Sequence, residues 1–207
     1  MYIQSIVRIT NKGVWQNGQE KVVDKSGSSS YFASIYKAMG ISYPKFFKMD
    51  NLCKLGFLAS ELTMKSANLE YDTEKRDWSV IIYNHCSSLD DDKVYQQTIQ
   101  EMDNFYPSPA VFVYTLSNIV TGEIAIRHKI MGESCSYIEE AFRPESLIDA
   151  SQMTLSNAKG IHHLLIGWVD YLDGEADALM MHVSQEMQKS GIPLTKETVA
   201  EAYLQGR

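Results

Sequence analysis

The pattern of hydrophobic and polar positions predicts strands and helices that alternate along the chain. Runs of apolar and β-branched residues indicate strands, whereas apolar residues that recur every three or four positions indicate amphipathic helices. The predicted strands are residues 2–10, 78–83, 111–114, 134–142, 164–170 and 176–183. The predicted helices are residues 31–39, 43–65, 90–102, 119–131, 144–157 and 195–204. This alternation is typical of a layered α/β fold in which helices cover a mixed, mostly parallel sheet.

The central stretch, residues 107–132, has the most distinctive pattern. It predicts a short strand followed directly by a helix that ends at Gly132. Gly122 lies in the middle of that helix and has no side chain, so we expect another helix or backbone segment to pack closely there. A glycine- and serine-rich loop is predicted at residues 25–30.

Composition and charge narrow the class of protein. The chain has 207 residues, which suits one domain, and its net charge of −7 with scattered basic residues argues against nucleic acid as a partner. No apolar run approaches the roughly 20 residues of a membrane span, and the N-terminus lacks the pattern of a secretory signal. Cys53, Cys86 and Cys135 are widely spaced, which argues against a disulfide framework or a zinc site. We therefore expect a cytoplasmic protein without a cofactor or metal.

Residues 108–118 and 122–127 resemble a segment of the N-terminal half of β-ketoacyl synthases, members of the thiolase-fold superfamily. Residues 49–55 and 167–170 support the resemblance. It is greatest with the shorter β-ketoacyl-synthase-like proteins of polyene and polyketide gene clusters. In element order it covers about residues 1–188 as one half-thiolase domain, and residues 189–207 are expected to be a C-terminal helical extension of the same domain.

The resemblance implies decarboxylative condensation chemistry, for which this chain lacks the expected residues. The family places a cysteine nucleophile at a helix N-terminus, where the helix dipole stabilises the thiolate. That position falls on Ala141 or Phe142 in this sequence. The family carries its histidine pair in a C-terminal half for which this sequence has no counterpart. We therefore expect that this chain does not catalyse condensation by itself.

By resemblance, the expected role is that of a noncatalytic subunit similar to a chain length factor, acting in fatty-acid, aryl-polyene or polyketide biosynthesis. The expected partner is a catalytic ketosynthase in a heterodimer, with a homodimer as the alternative and with acyl carrier protein as an indirect partner. The dimer interface of the family lies along the elements that correspond to residues 112–131 and 134–142. The candidate interface or tunnel residues are Phe112, Tyr114, Asn118, Gly122, Ile126 and Phe142.

Two other functions fit the residues. One is an acyl hydrolase or transferase that uses Cys86, although the adjacent His85 should point to the opposite side of an extended segment and is a poor base for it. The other is a stand-alone module that binds acyl chains or acts as a scaffold. His162 and His163 should likewise point apart, which disfavours a shared metal ion.

Overall fold

The computed structural model describes residues 1–21, 23, 30–67, 73–157, 160–188 and 191–206. The loop predicted at residues 25–30 lies, except for Ser30, outside these residues. The strands are β1 (Tyr2–Thr10), β2 (Gly13–Gln16), β3 (Gln19–Lys21), β4 (Trp78–Asn84), β5 (Ser134–Ile138), β6 (His163–Leu172), β7 (Glu175–Ser184) and β8 (Ile192–Pro193). The helices are α1 (Tyr31–Ala38), α2 (Asn51–Ser66), α3 (Leu89–Gln97), α4 (Pro109–Tyr114), α5 (Ile119–His128), α6 (Pro144–Asn157) and α7 (Lys196–Leu204). Two 3-10 turns span Pro44–Lys48 and Met102–Asn104.

All eight of these strands form one mixed sheet in the order β3-β2-β1-β7-β6-β4-β5, with β8 beside the N-terminal end of β1. β4 is parallel to both β5 and β6, whereas β7 is antiparallel to both β6 and β1. Strands β1, β4, β5 and β6 therefore run in one direction and β7 runs against them. The predicted fold class, a layered α/β structure with a mixed sheet, is confirmed. Among these strands only the pairings of β4 with β5 and β6 are parallel, and the other five pairings are antiparallel.

Helices cover the two faces of the sheet and bury two separate apolar clusters. On one face, side chains such as Val80 and Ile82 pack against α2 and α5. On the other face, Ile81, Ile166 and Trp168 pack with residues of α6 and α7. Because successive strand residues point to opposite faces, one apolar run supplies both clusters.

The structure corrects several element predictions. Residues 111–114 form part of helix α4 rather than a strand, because Pro109 occupies the first turn and the Ser108 side chain accepts a hydrogen bond from the Val111 amide. The predicted helix at 43–65 begins only at Asn51, where Asp50 caps it. Strand β5 ends at Ile138, so residues 139–142 form a loop before α6. The short hairpin of β2 and β3 was not predicted.

Candidate functional site

The loop between β5 and α6 contains the position at which the resemblance expects a nucleophile. Ala141 is exposed, whereas Phe142 is half-buried. The Phe142 ring stacks on Tyr203 with 3.6 Å between ring centroids, and it meets Trp168 edge-on at 5.9 Å. The side chain at the entrance to α6 is thus an aromatic ring packed into the apolar cluster on this face.

Tyr203 is itself fixed by a buried charged pair. Arg8, only 2% exposed, lies over the Tyr203 ring at 4.5 Å and forms an ion pair with Asp177 at 2.5 Å. The Tyr203 hydroxyl donates a hydrogen bond to the same carboxylate, and Arg8 Nε donates to the Tyr203 carbonyl oxygen at 2.9 Å. Helix α7 is therefore held on the sheet by charge-assisted bonds, and it holds Phe142 in turn.

Cys86 lies in the turn after β4, in surroundings that disfavour a reactive thiolate. The Asp170 carboxylate accepts hydrogen bonds from the amides of His85 and Cys86 at 3.1 and 2.8 Å. Burial, together with the negative charge of Asp170, raises the pKa of the Cys86 thiol to about 11. The His85 ring contacts the carbonyl oxygen of Glu139 at 3.1 Å. The geometry counts against a Cys86 nucleophile with His85 as its base.

The other predicted interface residues lie along α4 and α5 with different degrees of exposure. Phe112 is 49% exposed and Ile126 is 65% exposed. Asn118 is exposed at the start of α5 and its side chain makes no capping bond there. Tyr114 packs against the core, and burial raises its pKa to about 12. Phe112 and Ile126 are thus available for contact with a partner, whereas Tyr114 chiefly supports the core.

The expectation that another element packs closely on Gly122 is wrong within this chain. A Cβ atom built on Gly122 would meet no atom of the described residues within 4 Å. The close approach between α2 and α5 is at Gly56 instead, where an added Cβ would lie 2.5 Å from Val120 Cγ2. The glycine that permits helix packing is therefore on the other helix of the pair.

Sequence reasoning missed part of the exposed apolar surface around β5. No strand among the described residues pairs with the outer side of β5, and its residues Tyr137 and Ile138 are 45% and 58% exposed. Ile138 lies on the same side of the sheet as Ser136, whose hydroxyl donates to the Ser117 carbonyl oxygen at 3.3 Å. Its side chain therefore faces the α4–α5 side, on which Phe112 and Ile126 are exposed. The sequence does not show that β5 is the edge strand, so this exposed apolar surface could be identified only from the strand order in the structure.

His162 and His163, at the start of β6, occupy separate environments. His163 Nδ1 lies 3.1 Å from Nε2 of the buried His182, and Trp78 stacks on both rings. His162 is exposed. Within the described ranges, no group of three or more histidine, cysteine, aspartate or glutamate residues is arranged to hold a metal ion.

In the part of the chain that the structure describes, no single helix has the length and apolar character needed to cross a membrane. One pair of helical segments, Pro109–Thr115 and Ile119–His128, meets the criteria of length and composition when taken together, but it is bent by 96°.

Comparison with known proteins connects this geometry to ketosynthases. No protein-family model matches the sequence, and no curated protein matches it significantly. A solved structure described as the ishigamide ketosynthase/chain length factor has a TM-score of 0.66 and 14% identity, covering 93% of this chain and 64% of that chain. The complex of the ketosynthase ApeO with its chain length factor ApeC from Xenorhabdus doucetiae has a TM-score of 0.56 and 13% identity. The match covers 88% of this chain and 78% of that chain.

A third similar structure, AntDE:AntF, is a type II polyketide synthase acyl-carrier protein in complex with its ketosynthase bound to the hexaketide. Its TM-score is 0.58 at 12% identity, and the match covers 88% of this chain and 62% of that chain. This chain spans less than two thirds of the length of the ishigamide and AntDE chains that it matches. At these identities the likeness shows the fold alone: the chain has a fold similar to that of the ketosynthase and chain length factor structures. The resemblance seen in the sequence is confirmed at the level of the fold.

Proposed function

We propose that this protein is a noncatalytic subunit similar to a chain length factor, which pairs with a catalytic ketosynthase in polyketide, polyene or fatty-acid biosynthesis. The observation that carries the proposal is the aromatic contact at the start of α6. Phe142 stands at the entrance to that helix, where the resemblance expects a cysteine, and stacks on Tyr203. Without a thiol at a helix N-terminus, this position cannot form an acyl-enzyme intermediate.

The exposed surface around β5 supports a partner on this side of the molecule. The outer edge of β5, which no strand of the described residues pairs, offers backbone donors and acceptors to a strand from another chain, as in other strand-addition interfaces. The exposed apolar side chains of Ile126 and Ile138 flank the same region. Apolar side chains beside an open sheet edge are characteristic of surfaces that another protein covers.

Co-expression with a full-length ketosynthase from the same gene neighbourhood tests the pairing. The expected result is a stable heterodimer on size-exclusion chromatography, and a change in the length of the products that the ketosynthase makes. Ile126→Asp and Ile138→Asp should weaken the complex at least tenfold. Met187→Asp is the control, since Met187 is 64% exposed and lies after β7. A monomer or a homodimer that leaves the product length unchanged contradicts the proposal.

The noncatalytic part of the proposal has its own test. Phe142→Cys should fold and should show no condensing activity when assayed alone with acyl and malonyl carrier-protein substrates. Condensation by this variant alone would show that the remaining machinery is present in this chain.

A further inference from the structure

Residues 89–119 connect β4 to α5, and none of their described side chains is buried. The segment includes α3 and α4, and its side chains are half-buried or exposed throughout. The residues on either side of it, Ser88 and Val120, are buried. Large apolar side chains of the segment point to solvent, among them Met102 at 97% and Tyr106 at 84% exposed. The segment therefore gains little stability from burial in the core.

The two helices of this segment pack chiefly on each other. α4 has its main contact with α3, where the rings of Tyr95 and Phe112 meet with 5.4 Å between centroids. Tyr114 and Ile119, at the end of the segment, pack partly against the core. The polar contacts of α3 with the rest of the molecule include Lys93–Asp173 at 2.7 Å, Asp173 N–Asp90 Oδ1 at 3.2 Å and Asp91–Asp50. A helix pair that is attached largely by exposed polar contacts can open while the core stays folded.

Asn84 is buried where the segment leaves the sheet, and its side-chain amide has no partner among the described residues. It is the last residue of β4 and is 0% exposed, and neither its Nδ2 nor its Oδ1 atom is hydrogen-bonded to a described residue. Because residues alternate along a strand, its side chain lies on the α5 face of the sheet with Val80 and Ile82. An amide that is removed from water without a hydrogen bond destabilises the arrangement that buries it.

The joint between α4 and α5 crosses the same face of the sheet. Ser88 Oγ, in the turn after β4, donates a hydrogen bond to the Thr115 carbonyl oxygen at 2.7 Å. On the other side, Ser136 Oγ of β5 donates to the Ser117 carbonyl oxygen at 3.3 Å. Because these two serines flank the end of β4, the joint lies over the Asn84 side chain.

Both ends of the segment have features of a hinge. Ser87, just before it, has a φ of 52°, in the left-handed region that is unfavourable for a residue with a Cβ atom. At the other end, α4 and α5 meet at a bend of 96°, and the Asn118 side chain makes no capping bond at the start of α5. A change of backbone direction at these two positions moves α3 and α4 together.

We propose that residues 89–119 form a lid that opens as one unit over Asn84, turning about Ser87 and Asn118. The unpaired amide of Asn84 destabilises the closed lid and so raises the population of the open lid, in which solvent reaches the amide. Phe112, one of the residues expected at the partner surface, moves with the lid. The inference goes beyond the proposed function and is tested on the chain alone, so the result of one test does not decide the other.

Native-state hydrogen exchange at pH 7 tests whether the lid opens as a unit. The hydrogen-bonded amides of α3 and α4 should share one protection factor, at least about 100-fold below that of α5 and β4. Added urea should speed exchange in the lid only slightly and exchange in β4 steeply, because global unfolding exposes far more surface than lid opening. Equal protection of lid and core, or protection that differs more than about tenfold between α3 and α4, overturns the inference.

Two substitutions should shift the lid in opposite directions. Asn84→Leu keeps nearly the same shape and removes the unpaired polar atoms, so exchange in α3 and α4 should slow about tenfold. Ser88→Ala removes the bond to the Thr115 carbonyl oxygen, so exchange in both helices should speed up about tenfold. The matched controls are Asn157→Leu and Ser146→Ala, which lie on α6 and should leave exchange in the lid within about twofold.

The Asn84 variant decides whether the buried amide acts on the lid. If Asn84→Leu speeds exchange in α3 and α4, or leaves it unchanged, the amide does not destabilise the closed lid and the inference is overturned. A change of equal size in α5 and β4 also counts against it, because the effect is then on the whole molecule. The wild-type measurement and Ser88→Ala still test the lid if Asn84→Leu does not fold. Exchange that Ser88→Ala speeds in α4 but not in α3 shows two independent helices and overturns the single unit.

Discussion

Phe142 and Tyr203 stack almost face to face, with 3.6 Å between ring centroids and 15° between ring planes. The contact joins the loop before α6 to the C-terminal helix α7, sixty-one residues later in the sequence. Because the Tyr203 hydroxyl bonds to Asp177 of β7, the sheet, α7 and the α6 entrance are linked through two aromatic side chains. We therefore expect that removing either ring lowers the free energy of unfolding.

Phe142→Ala should lower the free energy of unfolding by about 2 kcal/mol, less than the about 3–5 kcal/mol of a fully buried phenylalanine. The ring is half-buried, and its removal opens a space beside Trp168 and Tyr203. Urea unfolding followed by far-UV circular dichroism measures the change. Phe105→Ala is the control, since Phe105 is 59% exposed and its loss should cost less than about 0.5 kcal/mol. Equal losses in the two variants would contradict the packing role of Phe142.

Arg8→Met should destabilise the protein by about 3 kcal/mol, because it leaves the Asp177 carboxylate and the Tyr203 carbonyl oxygen without their partner. Arg8→Lys should not restore the stability, since the donors of an ammonium group share one nitrogen atom and cannot reach both the Tyr203 carbonyl oxygen and the Asp177 carboxylate as the separate Nε and Nη1 atoms of the guanidinium do. A double-mutant cycle with Tyr203→Phe should give a coupling energy of about 1 kcal/mol from urea unfolding. Additive effects would show that the two side chains act independently.

Stability should fall as the solution is acidified below about pH 6.5, because two buried histidines resist protonation. Burial lowers the pKa of His128 and of His182 to about 3 in each case. Between the ordinary value of 6.5 and about 3, the unfolded chain binds protons that the folded chain does not. The folded state therefore loses up to about 1.4 kcal/mol per pH unit for each histidine.

The measurement is urea unfolding at several pH values between 7.5 and 4.5. His182→Gln should reduce the slope of unfolding free energy against pH by about half. His162→Gln should leave the slope unchanged, since His162 is exposed. A wild-type slope of zero, or a slope that His182→Gln does not alter, would contradict neutral burial of His182.

Local sequence patterns predicted the elements that carry a clear apolar pattern in their own residues. The apolar runs of β4, β6 and β7 predicted buried strands, and the spacing in α6 predicted its helix. The strand predicted at 111–114 was wrong because capping at Ser108 and Pro109 outweighs the β-branched content of the segment. The β2–β3 hairpin has strands of only four and three residues, which are too short to show a clear alternating pattern.

The candidate site is built from contacts between residues that are far apart in the sequence. For that reason the sequence predicted where the site lies along the chain but not which side chains meet there. Counting along the chain placed the missing nucleophile at Ala141 or Phe142, and the contact of Phe142 with Tyr203 required the path of α7. The exposed apolar side chains on the edge strand β5 likewise depend on the order of the strands in the sheet. That order is not encoded in a local period.

Cys86 should react slowly with iodoacetamide, as expected for a thiol with a pKa of about 11. At pH 8 its rate should be roughly 100-fold or more below that of glutathione, since the thiolate is the reacting form. Asp170→Asn should lower the pKa of Cys86 and raise the rate, because it removes the negative charge at the Cys86 amide. Mass spectrometry of the labelled peptide separates Cys86 from Cys135. Rapid labelling of the wild type at pH 7 would instead favour an enzyme that uses Cys86.

The two helical glycines Gly56 and Gly122 should respond in opposite ways to substitution by alanine. Gly122→Ala should stabilise the protein by about 0.5–1 kcal/mol, because the site lies within α5, has open space for a methyl group and gains helix propensity. Gly56→Ala should destabilise it by about 1–3 kcal/mol, because the new Cβ would lie 2.5 Å from Val120 Cγ2 and force α2 and α5 apart.

A matched pair of variants checks the cause of the Gly56 effect. Adding Val120→Ala to Gly56→Ala removes the clashing methyl group, so the double variant should lose less stability than the sum of the two single changes. Thermal unfolding of all four proteins at one pH gives the comparison. If Gly122→Ala also destabilises the isolated chain, then α5 must have a close neighbour at that position. If Gly122→Ala stabilises the chain but weakens the ketosynthase complex, then the partner approaches the open side of α5 at Gly122.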